Sequence, residues 1–156
     1  MIRNYRPGDA RAIAEIFCTA IHGSAREFYT EAQCLAWSPR EPDCPYWERR
    51  CAGKRPFVFV RNGEIAGFLE LDDDGHIDCA YVRPDDQRQG VMSALIRQAI
   101  ETASARGLER LFVEASIPAR GVFEKSGFRL IRENRLKLRG ECIRNYSMEL
   151  RLVTGG

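Results

Sequence analysis

The segment Val82-Arg83-Pro84-Asp85-Asp86-Gln87-Arg88-Gln89-Gly90-Val91-Met92-Ser93 separates two kinds of sequence. Upstream of it everything reads as sheet. Phe57-Val58-Phe59-Val60 is a buried strand run, Asn62-Gly63 is a strong hairpin signal, Ile65 to Leu71 returns, Asp72 to Gly75 turns, and Ile77 to Val82 adds a third segment. Such a run predicts three sequential antiparallel strands. Downstream, Gly90 opens a helix with apolar positions at Val91, Leu95, Ala99 and at Met92, Ile96, Ala103, and Arg106-Gly107 closes it. Leu111-Phe112-Val113 is the next strand. Strand, loop, helix and strand over 77–113 make a crossover unit, so strands 77–82 and 111–115 are expected to be parallel.

The pattern extends to both ends. Ile2 to Tyr5 is a strand, Asp9 is placed to cap a helix carrying Ile13, Ile16, Phe17 and Ile21, and Thr30 starts a second helical stretch through Leu35 and Trp37 that stops at Ser38-Pro39. Residues 39–56 hold Pro39, Pro42, Pro45 and Pro56 with the aromatic pair Tyr46-Trp47, and so read as a structured excursion, not a flexible linker. Pro118 to Lys125 is a short helix stopped at Ser126-Gly127, with Phe128 placed for the contact that follows a left-handed glycine cap; strands near 128–138 and 143–152 finish the chain. The fold class is α/β (α+β): a mixed, mostly antiparallel sheet with a central parallel strand pair and helices on both faces.

Composition limits the alternatives. With 156 residues, 44% of them hydrophobic, the chain forms one domain, 1–156, whose folding hides roughly 70% of the unfolded surface. Lys plus Arg is 24 against 22 for Asp plus Glu, a net +2, which argues against a general polyanion binder. The stretch 129–139 is locally basic, but Arg135, Lys137 and Arg139 alternate with Leu136 and Leu138 and no aromatics interleave. That is a solvated strand face, and no nucleic-acid partner is expected. Cysteines at 18, 34, 44, 51, 79 and 142 form no C-x-x-C, and His22 and His76 stand far apart, so no metal site is expected. No leader pattern and no membrane-length apolar run is present; no membrane partner is expected, and the thiols point to a cytoplasmic protein.

The chemistry starts at the central segment. A polar turn, a glycine and a helix start gather several unpaired main-chain N–H groups, which with the helix dipole favour a phosphate or diphosphate. Gly90 lets the main chain approach closely, and Arg88 can add a charge-assisted contact. The segment is neither a P-loop nor a dinucleotide G-x-G-x-x-G.

Gln87-x-x-Gly90-x-Met92 and, 29 positions after Gly90, Ala119-Arg-Gly-Val122-Phe123-Glu124-Lys125-Ser126-Gly127-Phe128 resemble the paired motifs of the GNAT superfamily of acetyl-CoA-dependent N-acetyltransferases. The opening Ile2 to Asp9 and the closing Asn145-Tyr146-Ser-Met148 look like a little-characterised bacterial branch of it. The resemblance implies a GNAT fold that binds acetyl-CoA as co-substrate and acetylates a primary amine of a small molecule or peptide by direct attack in a ternary complex. It also implies that Gln87, Arg88, Gln89, Gly90, Val91, Met92 and Ser93 hold the diphosphate, that Tyr81 and Val82 pair with the pantetheine arm, and that Ser116 meets it. Arg120, Phe123 and Lys125 would complete the coenzyme site. Many members are homodimers, and that expectation carries over.

Two departures follow. Met92 replaces a small residue, which requires its side chain to point into the fold. Phe123 stands where many members place the tyrosine that protonates the CoA thiolate, leaving Tyr146, Tyr81 and Cys142 as alternatives, with Tyr146 preferred. An attacking ammonium must also lose a proton. Histone-acetylating members carry a basic glutamate where His76 stands; His76, Asp78 (two along one strand) and Glu70 on its neighbour are the base candidates. Trp37, Tyr46 and Trp47 are candidate walls of an acceptor site. The competing readings are a non-catalytic acyl-CoA-binding module of this fold and a small nucleotide or phosphometabolite binder.

Overall fold

Along the chain the elements are β1 (Ile2–Asn4), α1 (Ala10–His22), α2 (Glu31–Trp37), α3 (Cys44–Lys54), β2 (Phe57–Arg61), β3 (Glu64–Leu71), β4 (His76–Val82), α4 (Val91–Ala105), β5 (Arg110–Ala115), α5 (Arg120–Lys125), β6 (Arg129–Leu138) and β7 (Glu141–Arg151). The computed structural model describes residues 1–153. Among them the strands form one sheet in the order β1-β2-β3-β4-β5-β7-β6. β4 and β5 run parallel and every other neighbouring pair is antiparallel, as the crossover pattern requires.

Local chemistry accounts for most boundaries. Asn62 and Gly63 both take positive φ, 53° and 78°, the backbone of a tight hairpin turn whose twist suits the flanking strands. Thr30 and Gln33 cap each other's main-chain groups at the start of α2. Phe128 N–H reaches back to the Phe123 carbonyl after Gly127 at φ 100°, and the two rings meet at 5.1 Å.

One feature differs from the sequence expectations, the capping role of Asp9, and two add to them. The proline-rich excursion contains α3: Pro45 falls in its first turn, where the missing N–H costs nothing, and the Asp43 side chain accepts from Tyr46 N–H. Asp9 stands at the start of α1 without capping it through its side chain. Its carboxylate instead takes both Arg3 donors at 2.8 and 3.0 Å and the Arg6 N–H, because charge-assisted bonds outcompete one helix N–H. β7 inserts between β5 and β6, leaving β6 at the edge, exposed along nearly all its length with Leu136 among the exposed side chains.

Apolar side chains fill both faces of the sheet. Leu69, Ile77, Leu95, Ile96, Leu111, Val113, Phe123 and Met148 pack beneath α4 and α5. Ile13, Ile16, Trp47, Val58 and Phe68 pack beneath α1 and α3, and Ile21, Tyr29, Cys34 and Ile143 join α2 to β7. Each large side chain so buried contributes about 1.5–3 kcal/mol. The two faces together clamp β4 and β5, and that fixes the shape of the gap between them.

Candidate active site

β4 and β5 pair at His76↔Phe112 and Ile77↔Val113 and nowhere beyond, although β4 continues to Val82 and β5 to Ala115. The closed end is pinned by Gly75, whose φ is 96° and where a Cβ would stand 2.3 Å from the Arg110 carbonyl oxygen. Opposite β3 the register shifts between Leu69↔Ala80 and Leu71↔Ile77, which puts one extra residue into β4 around Asp78-Cys79. Such a bulge bends the strand, here at the point where the parallel pairing stops. From Asp78 onward the β5-facing edge of β4 is therefore free to take an extended ligand as an added strand would be taken.

The gap opens toward the central loop. Asp86, 6% exposed, anchors that loop: it accepts from Arg83 Nε at 2.5 Å and Arg61 Nη1 at 3.2 Å. The Arg83 hydrogen bond, offset in part by burial and aided by Arg61, holds the Asp86 carboxyl below the usual carboxylate range. Arg61 also binds the Gln89 amide oxygen, and Gln87 reaches the Val82 carbonyl at 3.4 Å. Arg88 and Gly90 take φ of 62° and 82°, and a Cβ on Gly90 would meet nothing within 4 Å. No side chain caps α4, and Ala94 donates its first bond, to the Gly90 carbonyl. The N–H groups of Val91, Met92 and Ser93 thus face the open space beside Gly90, a cradle suited to a diphosphate. Met92 packs against the core, which resolves the steric question it posed.

The other residues expected at a coenzyme site are dispersed. Tyr81 and Val82 pair with Phe68 and Gly67 through one edge. The Tyr81 ring lies among Phe17, Trp37 and Phe68, and burial pushes its phenol well up, so its contribution to a ligand is main-chain. The Ser116 carbonyl accepts from Ala119 and Arg120 N–H. Arg120 bonds Glu124 at 2.7 Å and lies 4.6 Å over the Tyr146 ring, while Lys125 is exposed at the end of α5. Phe123 is 2% exposed and belongs to the core. Tyr146, opposite Ala115, is half-buried on the side of the sheet that carries α5.

The three base candidates converge on the other face. Glu70 is 0% exposed, and both its oxygens bind Arg50 at 2.7–3.2 Å. A carboxylate so held takes no amine proton without first giving up its partner. Asp78 binds Lys54 at 2.7 Å and Arg50 at 3.0 Å; burial pushes its carboxyl up, but Lys54 and Arg50 outweigh that and the net shift is downward. His76 stacks on Phe112 at 4.9 Å, its Nε2 lies 2.6 Å from Glu114 and its Nδ1 lies 3.5 Å from Asp72. Two ligand-like groups, Glu70/Asp78/Cys79 and Asp72/His76/Asp78, have their polar atoms within 4.8 Å of one another. Arg50 sits within bonding distance of all three members of the first, and Lys54 bonds two members of the second.

Three residues of the candidate site escaped sequence reasoning. Arg50 was hidden in the proline-rich segment, and Glu114 is the one acid among the outward alternates of β5, a signal that was present in Leu111-Phe-Val-Glu-Ala. Tyr29 is buried; its hydroxyl donates to the Arg144 carbonyl at 2.7 Å and accepts from Ile117 N–H at 2.9 Å. Of the expected wall residues, Trp37 stands between Tyr29 and Tyr81, Trp47 is core, and Tyr46 is exposed beside Arg50. Cys142 is exposed at the start of β7. A groove of about 610 Å³ lies elsewhere, between α1, the β2–β3 hairpin and Arg83–Asp85. Among the described residues no helix is long and apolar enough to cross a membrane.

Residues 19–152 match the family described as "Acetyltransferase (GNAT) domain". The uncharacterized N-acetyltransferase YafP of Escherichia coli is 33% identical over 147 residues, 94% of this chain and 93% of that protein. A GCN5-related N-acetyltransferase from Rhodopseudomonas palustris superposes with a TM-score of 0.90 at 32% identity, over 97% of this chain and 95% of that one. The acetyltransferase yncA of Salmonella typhimurium, solved with acetyl-CoA, shares the fold at a TM-score of 0.71 and 19% identity, over 100% of this chain and 95% of that one.

Proposed function

The chain belongs to the GNAT family of acetyltransferases, acetyl-CoA-dependent acyltransferases, and from that premise we propose that it acetylates a primary amine by direct attack within a ternary complex. The observation that carries this reading is the parting of β4 from β5 after Ile77 and Val113, directly below the uncapped start of α4. Main-chain donors from Arg88 to Ser93 hold the diphosphate of acetyl-CoA, and the free edge of β4 from Cys79 to Val82 aligns its pantetheine arm. Acetyl-CoA supplies a thioester carbonyl as electrophile. A β4 main-chain N–H beyond Asp78 stabilises the charge that develops on its oxygen, an interaction worth about 10²- to 10³-fold in rate elsewhere.

The amine's proton leaves through Glu114 and His76, held 2.6 Å apart at the closed end of the gap on the face that carries α3. Asp78 and Glu70 position this region by fixing Lys54 and Arg50. The departing thiolate takes a proton from Tyr146, which with Arg120 above it occupies the mouth beside α5 and supplies the hydroxyl that Phe123 lacks. The reaction on this reading takes place in the cytoplasm.

Initial velocities measured while acetyl-CoA and amine are varied together test the mechanism. Intersecting double-reciprocal lines with no acetylated protein by mass spectrometry are expected. Parallel lines with an isolable acetyl-protein would overturn direct attack.

A further inference from the structure

A cavity of about 250 Å³ lies where the start of α2, the end of β5 and the β6–β7 hairpin meet, lined by Tyr29, Gln33, Ile117, Arg135, Cys142 and Arg144. Its walls are pinned from the α2 side: Tyr29 bonds Arg144 O and Ile117 N–H, and Gln33 Nε2 donates to the Cys142 carbonyl at 2.8 Å. The hairpin register sets Arg135 directly opposite Arg144. Like charges facing each other across a strand pair destabilise it. Glu133 offsets them incompletely, at 3.4 Å from Arg144 and 3.9 Å from Arg135, contacts longer than a strong charge-assisted bond. The lining residues thus include two arginines and no acid, with Glu133 beside both arginines. Two guanidinium forks so placed match a carboxylate or phosphate.

The cavity lies close to Tyr146 along β7. Tyr146 lies two residues beyond Arg144 on the same strand face, roughly 7 Å away at the usual strand rise. Ile117 lies two residues beyond Ala115, the partner of Tyr146. Tyr29, Trp37 and Tyr81 form a row of rings, 5.3 and 6.2 Å apart, leading from the cavity to β4. We infer that Arg135 and Arg144 bind an anionic group of the acceptor, so that the acetylated amine belongs to a compact molecule that also carries a carboxylate or phosphate. The inference rests on the proposed acetyl transfer to an amine.

The test uses matched acceptors with and without the anion: phenylalanine against phenethylamine, lysine against cadaverine, and O-phosphoethanolamine against ethanolamine. Acetyl-CoA binding is measured first by calorimetry, so that failure of the coenzyme reading is seen separately. Expected is a kcat/KM at least tenfold higher for the anionic member of the pairs that react, with the first two pairs reporting carboxylate and the third phosphate. In the Arg135→Ala/Arg144→Ala double variant the KM for that member rises tenfold or more, while kcat and the acetyl-CoA affinity stay within twofold. Equal or better use of the amines lacking the anion overturns the inference. So does an unchanged double variant, or one that loses acetyl-CoA affinity instead, which would assign the arginines to the coenzyme. If no pair reacts, alkylation of Cys142 by iodoacetamide decides: phenylalanine or O-phosphoethanolamine slows it in the wild type but not in the double variant, and absence of protection overturns the inference.

Discussion

The two sides of the β4–β5 gap are built in opposite ways. The proposed coenzyme side is one continuous stretch, residues 82–93, that would work through main-chain donors; its side chains mostly hold the loop in place, as Asp86 does with Arg83 and Arg61. The proposed acceptor side would be assembled from side chains just before α2 and on α3, β3, β4, β5 and β7, such as Tyr29, Arg50, Glu70, His76, Glu114 and Arg144. Recognition by main chain needs a particular backbone shape and so concentrates in a short motif. Recognition by side chains needs only that distant segments be folded together, and each segment is then free to vary.

Five substitutions probe that contrast, beginning with the strongest. Glu70→Ala leaves Arg50 without its buried carboxylate partner and is expected to cost about 3–5 kcal/mol in urea unfolding; a loss below 1 kcal/mol would show that the pair does not hold the acceptor side together. His76→Ala and Glu114→Gln should each lower kcat about 10²-fold with the acetyl-CoA KM within twofold, and intact turnover in both would remove the pair as proton acceptor. On the coenzyme side, Gly90→Val places a side chain in the space beside the α4 start. The acetyl-CoA KM is expected to rise about tenfold, with a backbone cost of about 1–2 kcal/mol for the positive φ; an unchanged KM would mean that the phosphates lie elsewhere.

The smallest effect concerns Asp86. Because Arg83 and Arg61 depress its carboxyl in the folded protein, its contribution is complete above the ordinary carboxylate range. It is lost as the pH falls through that range toward the depressed value, below about pH 5. Asp86→Asn should therefore cost about 1 kcal/mol at neutral pH and flatten the acid limb of the stability profile. An acid limb of unchanged steepness would contradict that assignment.

The same contrast explains what could be read from the sequence. The meander before Val82, the parallel pair across α4 and the glycine turn that opens α4 were legible because each rests on local periodicity or a turn residue with a defined backbone. α3 was not, since the four prolines at 39, 42, 45 and 56 marked a structured excursion without showing a helix in it, although Asp43 followed by Pro45 is an adequate helix start. The insertion of β7 between β5 and β6 follows from long-range packing that no local pattern encodes. Asp78 was expected to need a partner, but Arg50 and Lys54 come from 28 and 24 positions away. His76 was readable as a base candidate by its strand position, whereas Glu114, 38 residues distant, became its neighbour through the β4–β5 pairing.

The central claim is that the parted strands and the uncapped start of α4 receive coenzyme A. Titrating CoA into the ¹⁵N-labelled protein and following amide chemical shifts tests it directly. The largest, saturable shifts are predicted at Cys79 to Val82 and at Arg88 to Ser93. Unmoved amides in both segments, with shifts gathered instead in the groove between α1 and the β2–β3 hairpin, would contradict it.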